Sequence, residues 1–341
     1  MALKRVTMQD IAKACGLSRN TVSKVFNNRG AVPESRREAV LKMAKELGYY
    51  RHPDELLSRD KNSGSIALLT QRKPIGRGFH ASFITSFTDQ ISRAGFTLKL
   101  YEISSGEVAG RRLPPHLNLS ETAGILCIEV FDREYYDMIC ALGKPTVFVD
   151  GFAGAARTPI SCDFISMENI ASETVLVKSL IAAGARSVGF VGDREHCNSF
   201  HERYASFCLT LQEAGLTLRP ELSILEKDGS VYSDTEWLME KLMAMPVLPD
   251  GFVCANDFLA IHLMTALKKM GLSIPGDVMV AGFDGSMEGS LVEPSLTTAR
   301  IPTQEIGRLA ASVLSERIAV PDLPYRWIYV KTTPVLGDSV R

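Results

Sequence analysis

Arg19, Asn20, Ser23, Lys24 and Asn27 fall on one side of a short segment whose other side carries Val22, Val25 and Phe26 at i, i+3, i+4 spacing. A guanidinium fork, two amides, a hydroxyl and an ammonium on one helical face can bond base edges in a DNA groove and hold phosphates beside it. A face built only for solubility would be richer in Glu and Lys. A second polar set lies far downstream, each member just beyond a short apolar run: Asp150, Asp193, Asn256 with Asp257, and Asp284. Carboxylates and an amide at strand ends suit the hydroxyl groups of a small polar ligand. The plainer role, an N-cap on the following helix, is expected of Asn256 or Asp257.

The first set needs a compact scaffold, and the first 60 residues supply one. Thr7-Met8-Gln9-Asp10 has the form of a capping box, and Ile11, Ala12 and Cys15 make an apolar stripe behind it. Gly16 can end that helix in the left-handed conformation, Leu17 anchors the turn, and Ser18 caps the second helix. Pro33-Glu34 starts a third helix with Val40, Leu41, Ala44 and Leu47 on its buried side and Gly48 as its stop. Three short helices with this turn form a helix-turn-helix head.

Charge divides along the same line. Of 38 Lys/Arg and 39 Asp/Glu, residues 1–59 hold 12 and 6, leaving the remainder with 26 and 33. A basic head on an acidic body points to a polyanion at the head, where lysine and arginine gain affinity by releasing phosphate counterions.

The stretch Val6-Thr7-Met8-Gln9-Asp10-Ile11-Ala12, then Gly16-Leu17-Ser18, then Thr21-Val22-Ser23-Lys24-Val25-Phe26-Asn27 resembles the N-terminal signature of the lactose/galactose repressor family of bacterial transcriptional regulators. The likeness runs on through Arg36-Arg37 to Leu47-Gly48-Tyr49. It implies that Arg19, Asn20 and Lys24 reach the major groove and that Thr7, Thr21, Ser23 and Asn27 position the head on phosphates. Thr7 and Ser18 also have a capping role, and the two roles can coexist. The family's hinge helix puts a leucine into the minor groove; at that place this chain has Ser58, preceded by Leu57, and it opens the hinge with Asp54 and Glu55. Leu57 is the wedge expected here, with a register shifted by one.

From Ser65 onward the pattern changes to apolar runs at 65–70, 97–101, 124–128, 145–149, 187–191, 251–255 and 277–282, alternating with helical stretches at 83–94, 169–183, 202–214 and 258–270. Such alternation means parallel sheets covered on both faces, and the number of units calls for two lobes. The body resembles the effector domain of the same family, itself similar to periplasmic sugar-binding proteins. The stretches that carry this likeness are Ser199-Phe200-His201-Glu202-Arg203, Ala255-Asn256-Asp257, Ile274-Pro275-Gly276-Asp277-Val278, Gly282-Phe283-Asp284 and Pro294-Ser295-Leu296-Thr297-Thr298. By that resemblance the effector-binding residues are Asp150, Arg203, Asn256 and Asp284, with His80, Phe83 and Phe200 as walls of the cleft.

The expectation is an α/β protein with a helix-turn-helix head (1–50), a hinge linker (51–63) and a two-lobed, periplasmic-binding-protein-like effector and dimerisation domain (64–341). It binds double-stranded operator DNA under allosteric control by a small polar effector, a sugar or sugar derivative, and acts as a repressor. Near the C-terminus, Gly337 stands where the family commonly has arginine, and no leucine heptads follow, so the expected assembly is a homodimer. No nucleotide-binding, hydrolase or zinc-protease motif is present, so neither an enzyme nor a cofactor is expected. His196, Cys197 and His201 lack the spacing of a metal site, and the seven scattered cysteines have no CxxC pair. With no signal peptide and no apolar span, the chain is expected in the cytoplasm and off the membrane.

Overall fold

The computed structural model describes residues 6–26, 32–47, 64–71, 79–227 and 231–341, without the side chains of Glu34, Lys45, Phe79 and His80. The expectations placed on Asn27, on Leu57 with Asp54, Glu55 and Ser58, and on the His80 side chain lie outside the described residues. The chain divides into two units, Met1–Asn62 and Ser63–Arg341.

In the first unit, α1 (Met8–Cys15) opens on a reciprocal cap. The Thr7 amide and hydroxyl lie 2.8 and 2.7 Å from Asp10 Oδ2, and Thr7 Oγ1 accepts from the Asp10 amide at 3.4 Å. Gly16 ends the helix at φ 65°, and the Leu17 amide turns back to the Ala12 carbonyl at 2.9 Å. Ser18 Oγ caps α2 (Arg19–Phe26) by accepting from the Thr21 amide at 3.1 Å, and the Pro33 carbonyl starts α3 (Glu34–Glu46). Ile11, Ala12, Val22, Val25, Val40 and Ala44 form the core, ringed by Cys15, Leu17, Phe26 and Leu41 among others. Leu47 is 37% exposed rather than buried, because α3 ends at Glu46 and the residue lies past the last turn that packs on the core.

The second unit begins with β1 (Ser65–Thr70), α4 (Phe79–Arg93), β2 (Thr97–Glu102), α5 (Ser105–Ala109), β3 (Thr122–Ile128), α6 (Arg133–Cys140), β4 (Thr146–Val149) and β5 (Asp163–Met167). The chain then builds a second lobe from α7 (Ile170–Ala182), β6 (Val188–Val191), α8 (Asn198–Glu213), α9 (Thr235–Met243), β7 (Gly251–Cys254), α10 (Asp257–Lys269), β8 (Met279–Ala281), α11 (Met287–Leu291) and β9 (Thr298–Arg300). It returns with α12 (Thr303–Ala319) and β10 (Trp327–Val330), and finishes with β11 (Thr333–Val335). The first sheet, in the order β10-β5-β4-β3-β1-β2, is parallel throughout, as is the second, β6-β7-β8. β1, β4 and β5 are buried along their whole length, as strands covered on both faces must be. The antiparallel pair β9–β11 departs from the all-parallel expectation.

The chain crosses between lobes three times: after β5, between β9 and α12, and between β10 and β11. Two crossings are tied side by side, because the Glu168 amide donates to Val330 and Thr332 Oγ1 lies 2.7 Å from both the Glu168 carbonyl and Ser172 Oγ. β5 is also pinned to the returning segment. The Arg317 fork meets Asp163 at 2.8 and 3.0 Å, and the Arg326 amide donates to the same carboxylate at 2.9 Å. Asp163 is wholly buried, so its charge is tolerable only with that paired, bidentate neutralisation.

Candidate functional site

On α2, Val22 and Val25 turn into the head's core, and this leaves Arg19, Asn20 and Lys24 exposed on the opposite face. Ser23 is half-buried, and so is Thr21, whose hydroxyl lies 2.8 Å from Ser18 Oγ. Thr7 is exposed and engaged with Asp10. The caps therefore fix the start of each helix, while the long side chains of α2 remain extended into solvent. The arrangement is a rigid two-turn helix presenting one guanidinium, one amide and one ammonium within six residues.

In the second unit, the polar groups expected at strand ends gather around Arg203. This residue sits on the inner side of α8 and is 2% exposed. Its Nε donates to Asn169 Oδ1 at 2.9 Å, its Nη1 donates to the Ala255 carbonyl at 2.6 Å, and the guanidinium lies 3.7 Å from the centre of the Phe283 ring. Nη1 also lies 3.5 Å from Asp284 Oδ1. Burial raises the pKa of Asp284 to about 7 against the opposing pull of Arg203. Asp150 is nearly buried beyond β4, and its carboxyl is likewise pushed up by burial, while Ser199, the Gly151 amide and Arg203 act to lower it.

Asp150 and Asp284 share a backbone signature that composition does not show. Their φ angles are +60° and +132°, and Glu129, at the end of β3, has +54°. Non-glycine residues at positive φ are strained, and such strain concentrates at ligand sites. Here, carboxylates that close β3, β4 and β8 all carry it.

Asn256 is the N-cap of α10: its Oδ1 accepts from the Leu259 amide at 2.9 Å. Asp257 is wholly buried and staples the loop that bears Asp284, accepting from Thr298 Oγ1 at 2.5 Å and the Ser286 amide at 2.6 Å. Asp193 Oδ1 accepts from the Glu195 amide at 2.8 Å and so shapes the loop before α8. Phe200 is half-buried beside the Arg203 guanidinium. Phe83 is wholly buried and stacked on Phe87, within the helix that packs on α12. His201 Nε2 lies 2.6 Å from Arg157, and among the described residues no His/Cys/Asp/Glu group can hold a metal ion.

Three features were not anticipated. Phe131 lies edge-on to His196 at 5.0 Å, and His196 lies 5.0 Å from Phe200, so an aromatic row joins the loop after β3 to the start of α8. Asn169 Nδ2 donates to Glu202 at 2.7 Å, and Tyr329 donates to the other Glu202 oxygen at 2.8 Å. Tyr329, Glu202, Asn169, Arg203 and Asp284 thus form one hydrogen-bonded chain from β10 of the first lobe to the strand-end loop of the second. Glu173, on the first turn of α7, is wholly buried with neither carboxyl oxygen hydrogen-bonded.

A basic helix-turn-helix head and a two-lobed body with polar groups at facing strand ends define a regulator that reads DNA and carries a ligand-type clamp. Residues 7–52 match the model of the bacterial regulatory proteins, lacI family, and residues 177–340 match the periplasmic binding protein-like domain. The HTH-type transcriptional regulator MalR of Streptomyces coelicolor is 28% identical over 97% of this chain and 96% of its own length. In fold, the chain is similar to a transcriptional regulator CelR–cellobiose complex (TM-score 0.72, 24% identity, 98% and 100% of the two chains). It is also similar to the lac repressor dimer bound to operator and the anti-inducer ONPF (TM-score 0.69, 21% identity, 98% and 99%). The chain joins a lacI-family DNA-binding domain to a periplasmic binding protein-like domain: it is a DNA-binding transcriptional regulator and not an enzyme. Among the described residues no helix is long and apolar enough to cross a membrane.

Proposed function

We propose that the chain is a cytoplasmic repressor, active as a homodimer, that leaves or holds its operator according to occupancy of the cleft by a sugar or sugar derivative. Its parts are the head (1–50), the hinge (51–63) and the effector domain (64–341). Arg19 and Lys24 meet guanine and Asn20 meets adenine, Thr7, Thr21, Ser23 and Asn27 hold phosphates, and Leu57 enters the minor groove. Asp150, Arg203, Asn256 and Asp284 bond the effector's hydroxyls, with Phe200 and His80 along the walls, whereas Phe83, wholly buried against Phe87, packs the core behind them. The observation that carries this reading is the Tyr329–Glu202–Asn169–Arg203–Asp284 chain, because a ligand that re-forms the Arg203 and Asp284 contacts acts directly on the inter-lobe tie. Cellobiose in the similar CelR complex supports a sugar as the effector class. Closure of the lobes shifts operator affinity by a coupling of about 1–3 kcal/mol.

The test is selection of bound DNA from a random pool, repeated with a panel of sugars. A palindrome with half-sites about one helical turn apart is the expected product, and at least one sugar changes its recovery. Failure to enrich any sequence rules the reading out.

The dimer reading is supported by Phe258 on α10 and Met287 and Leu291 on the adjoining α11, which are 43%, 73% and 77% exposed. Leu291→Glu is expected to give a monomer by sedimentation and to weaken operator binding by about 100-fold or more, as one half-site is lost. A dimer that survives this change places the interface elsewhere.

A further inference from the structure

Asn169 occupies the N-cap position of α7 and does not cap it. Its backbone is helical (φ −99°, ψ −34°), and its side chain makes no bond to the helix. Asparagine is among the residues best suited to that bond, which needs an extended backbone at the cap. Asn256 shows the usual form on α10, with φ −154°, ψ 174° and its Oδ1 accepting from the Leu259 amide at 2.9 Å. On α7 the bond has moved back by one residue, because Glu168 Oε1 accepts from the Ala171 amide at 2.7 Å.

The amide of Asn169 turns to α8 instead. It is buried, its Oδ1 accepts from Arg203 Nε at 2.9 Å, and its Nδ2 donates to Glu202 Oε2 at 2.7 Å and to the Met167 carbonyl at 3.1 Å. One planar group therefore orients the Arg203 guanidinium together with the carboxylate that Tyr329 ties to the first lobe. Asn169 also lies on the first crossing between the lobes, just after β5, where the Glu168 backbone meets Val330 and Thr332. The two uses of its amide exclude each other. Capping requires ψ to leave the helical region, and a change of ψ at a crossing is a hinge motion.

Building on the reading of this cleft as the effector site, we propose that Asn169 is a positioning residue for Arg203 that exchanges partners as the lobes move. In the present arrangement Glu168 caps α7 and Asn169 holds Arg203 and Glu202. In the alternative the cap slides forward by one residue, Asn169 bonds the first turn of α7, and Arg203 and Glu202 are released together. An effector that holds Arg203 in its present orientation favours the first arrangement. Hinge angle and Arg203 orientation are then two views of one equilibrium, which is what coupling between cleft and operator requires.

The experiment compares the full chain with three variants on the operator duplex selected from the random pool, under the condition of its selection. Glu168→Ala removes the resident cap and leaves Asn169 to take its place, so the balance shifts by about the worth of one cap. A change of about fivefold in operator Kd is expected. Glu168→Gln keeps an acceptor oxygen at the same reach and is expected to stay within about twofold of the wild type. Tyr329→Phe loosens Glu202 from the first lobe, so its operator Kd is expected to move in the same direction as that of Glu168→Ala. A role confined to stability would lower the urea midpoint of Glu168→Ala and leave its operator Kd unchanged. That result, a shift in Glu168→Gln as large as in Glu168→Ala, or an opposite shift in Tyr329→Phe overturns the exchange of partners. Each leaves the effector cleft standing, since the cleft is tested by the response of the wild-type protein to sugars.

Discussion

The Arg19→Ala/Asn20→Ala protein is expected to bind its selected operator no more than about tenfold better than random DNA, a loss of discrimination of at least about 100-fold. Both side chains are exposed on α2, and the helix is held from its other face by Val22 and Val25, so truncation removes contacts without removing the fold. A good bidentate pair with a base contributes about 1–3 kcal/mol, and a dimer loses two such pairs in each half-site. Affinity for random DNA should fall far less, since it rests on phosphates. Removing one guanidinium per head trims the salt dependence only slightly. Competition binding against operator and scrambled duplexes measures both quantities, and circular dichroism checks that the three helices persist. Retained discrimination would show that other residues read the bases. A parallel collapse on random DNA would mean that Arg19 and Asn20 only hold the backbone.

The head was legible because its information is local. Thr7 with Asp10, Gly16, Ser18 and the spacing of Val22, Val25 and Phe26 all act within a few residues, and the helices begin where those residues place them. β5 was not legible. Asp163 and Ser166 interrupt its apolar pattern, and the group that makes a buried aspartate acceptable there, Arg317, is 154 residues away. β9 and β11 were missed because Thr298-Ala299-Arg300 and Thr333-Pro334-Val335 make no apolar run, unlike the similarly short β6 and β8, and β10 was missed although Trp327–Val330 is apolar, as an edge strand only partly buried.

The same distinction separates the parts of the cleft. Asp150, Asn256 and Asp284 announce themselves by following apolar runs. Asn169, Glu202 and Tyr329 come from a strand end, a helix and a returning edge strand that only the three crossings bring together. Glu173 reads in sequence as an ordinary charge on a helix: Leu176, Val177 and Leu180 share its face, but Ile170 and Val175 put apolar residues on the other face too, so the pattern does not single out the inward side.

That inward carboxyl makes the stability of the second unit depend on pH in a direction opposite to the usual one for acidic groups. A paired carboxylate has a lowered pKa in the fold and stabilises as pH rises. Glu173 is raised from the ordinary 4.5 to about 8, because burial penalises its charged form more than Arg203 favours it. Between those two values the folded chain holds a proton that the unfolded chain has released, so stability falls as pH rises through the interval and levels off above it. Glu173→Gln keeps the shape and the neutral amide-like polarity of the protonated acid but has no proton to lose. Near pH 4.5 the two proteins should therefore unfold at similar urea concentrations. By pH 8 the variant should be the more stable by an amount on the order of 4 kcal/mol, with most of the divergence between pH 5 and 8. Asp284 and Asp150 titrate in both proteins, so their contribution cancels in the difference. A difference that stays constant with pH would place the Glu173 carboxyl in contact with water or with a charge that neutralises it.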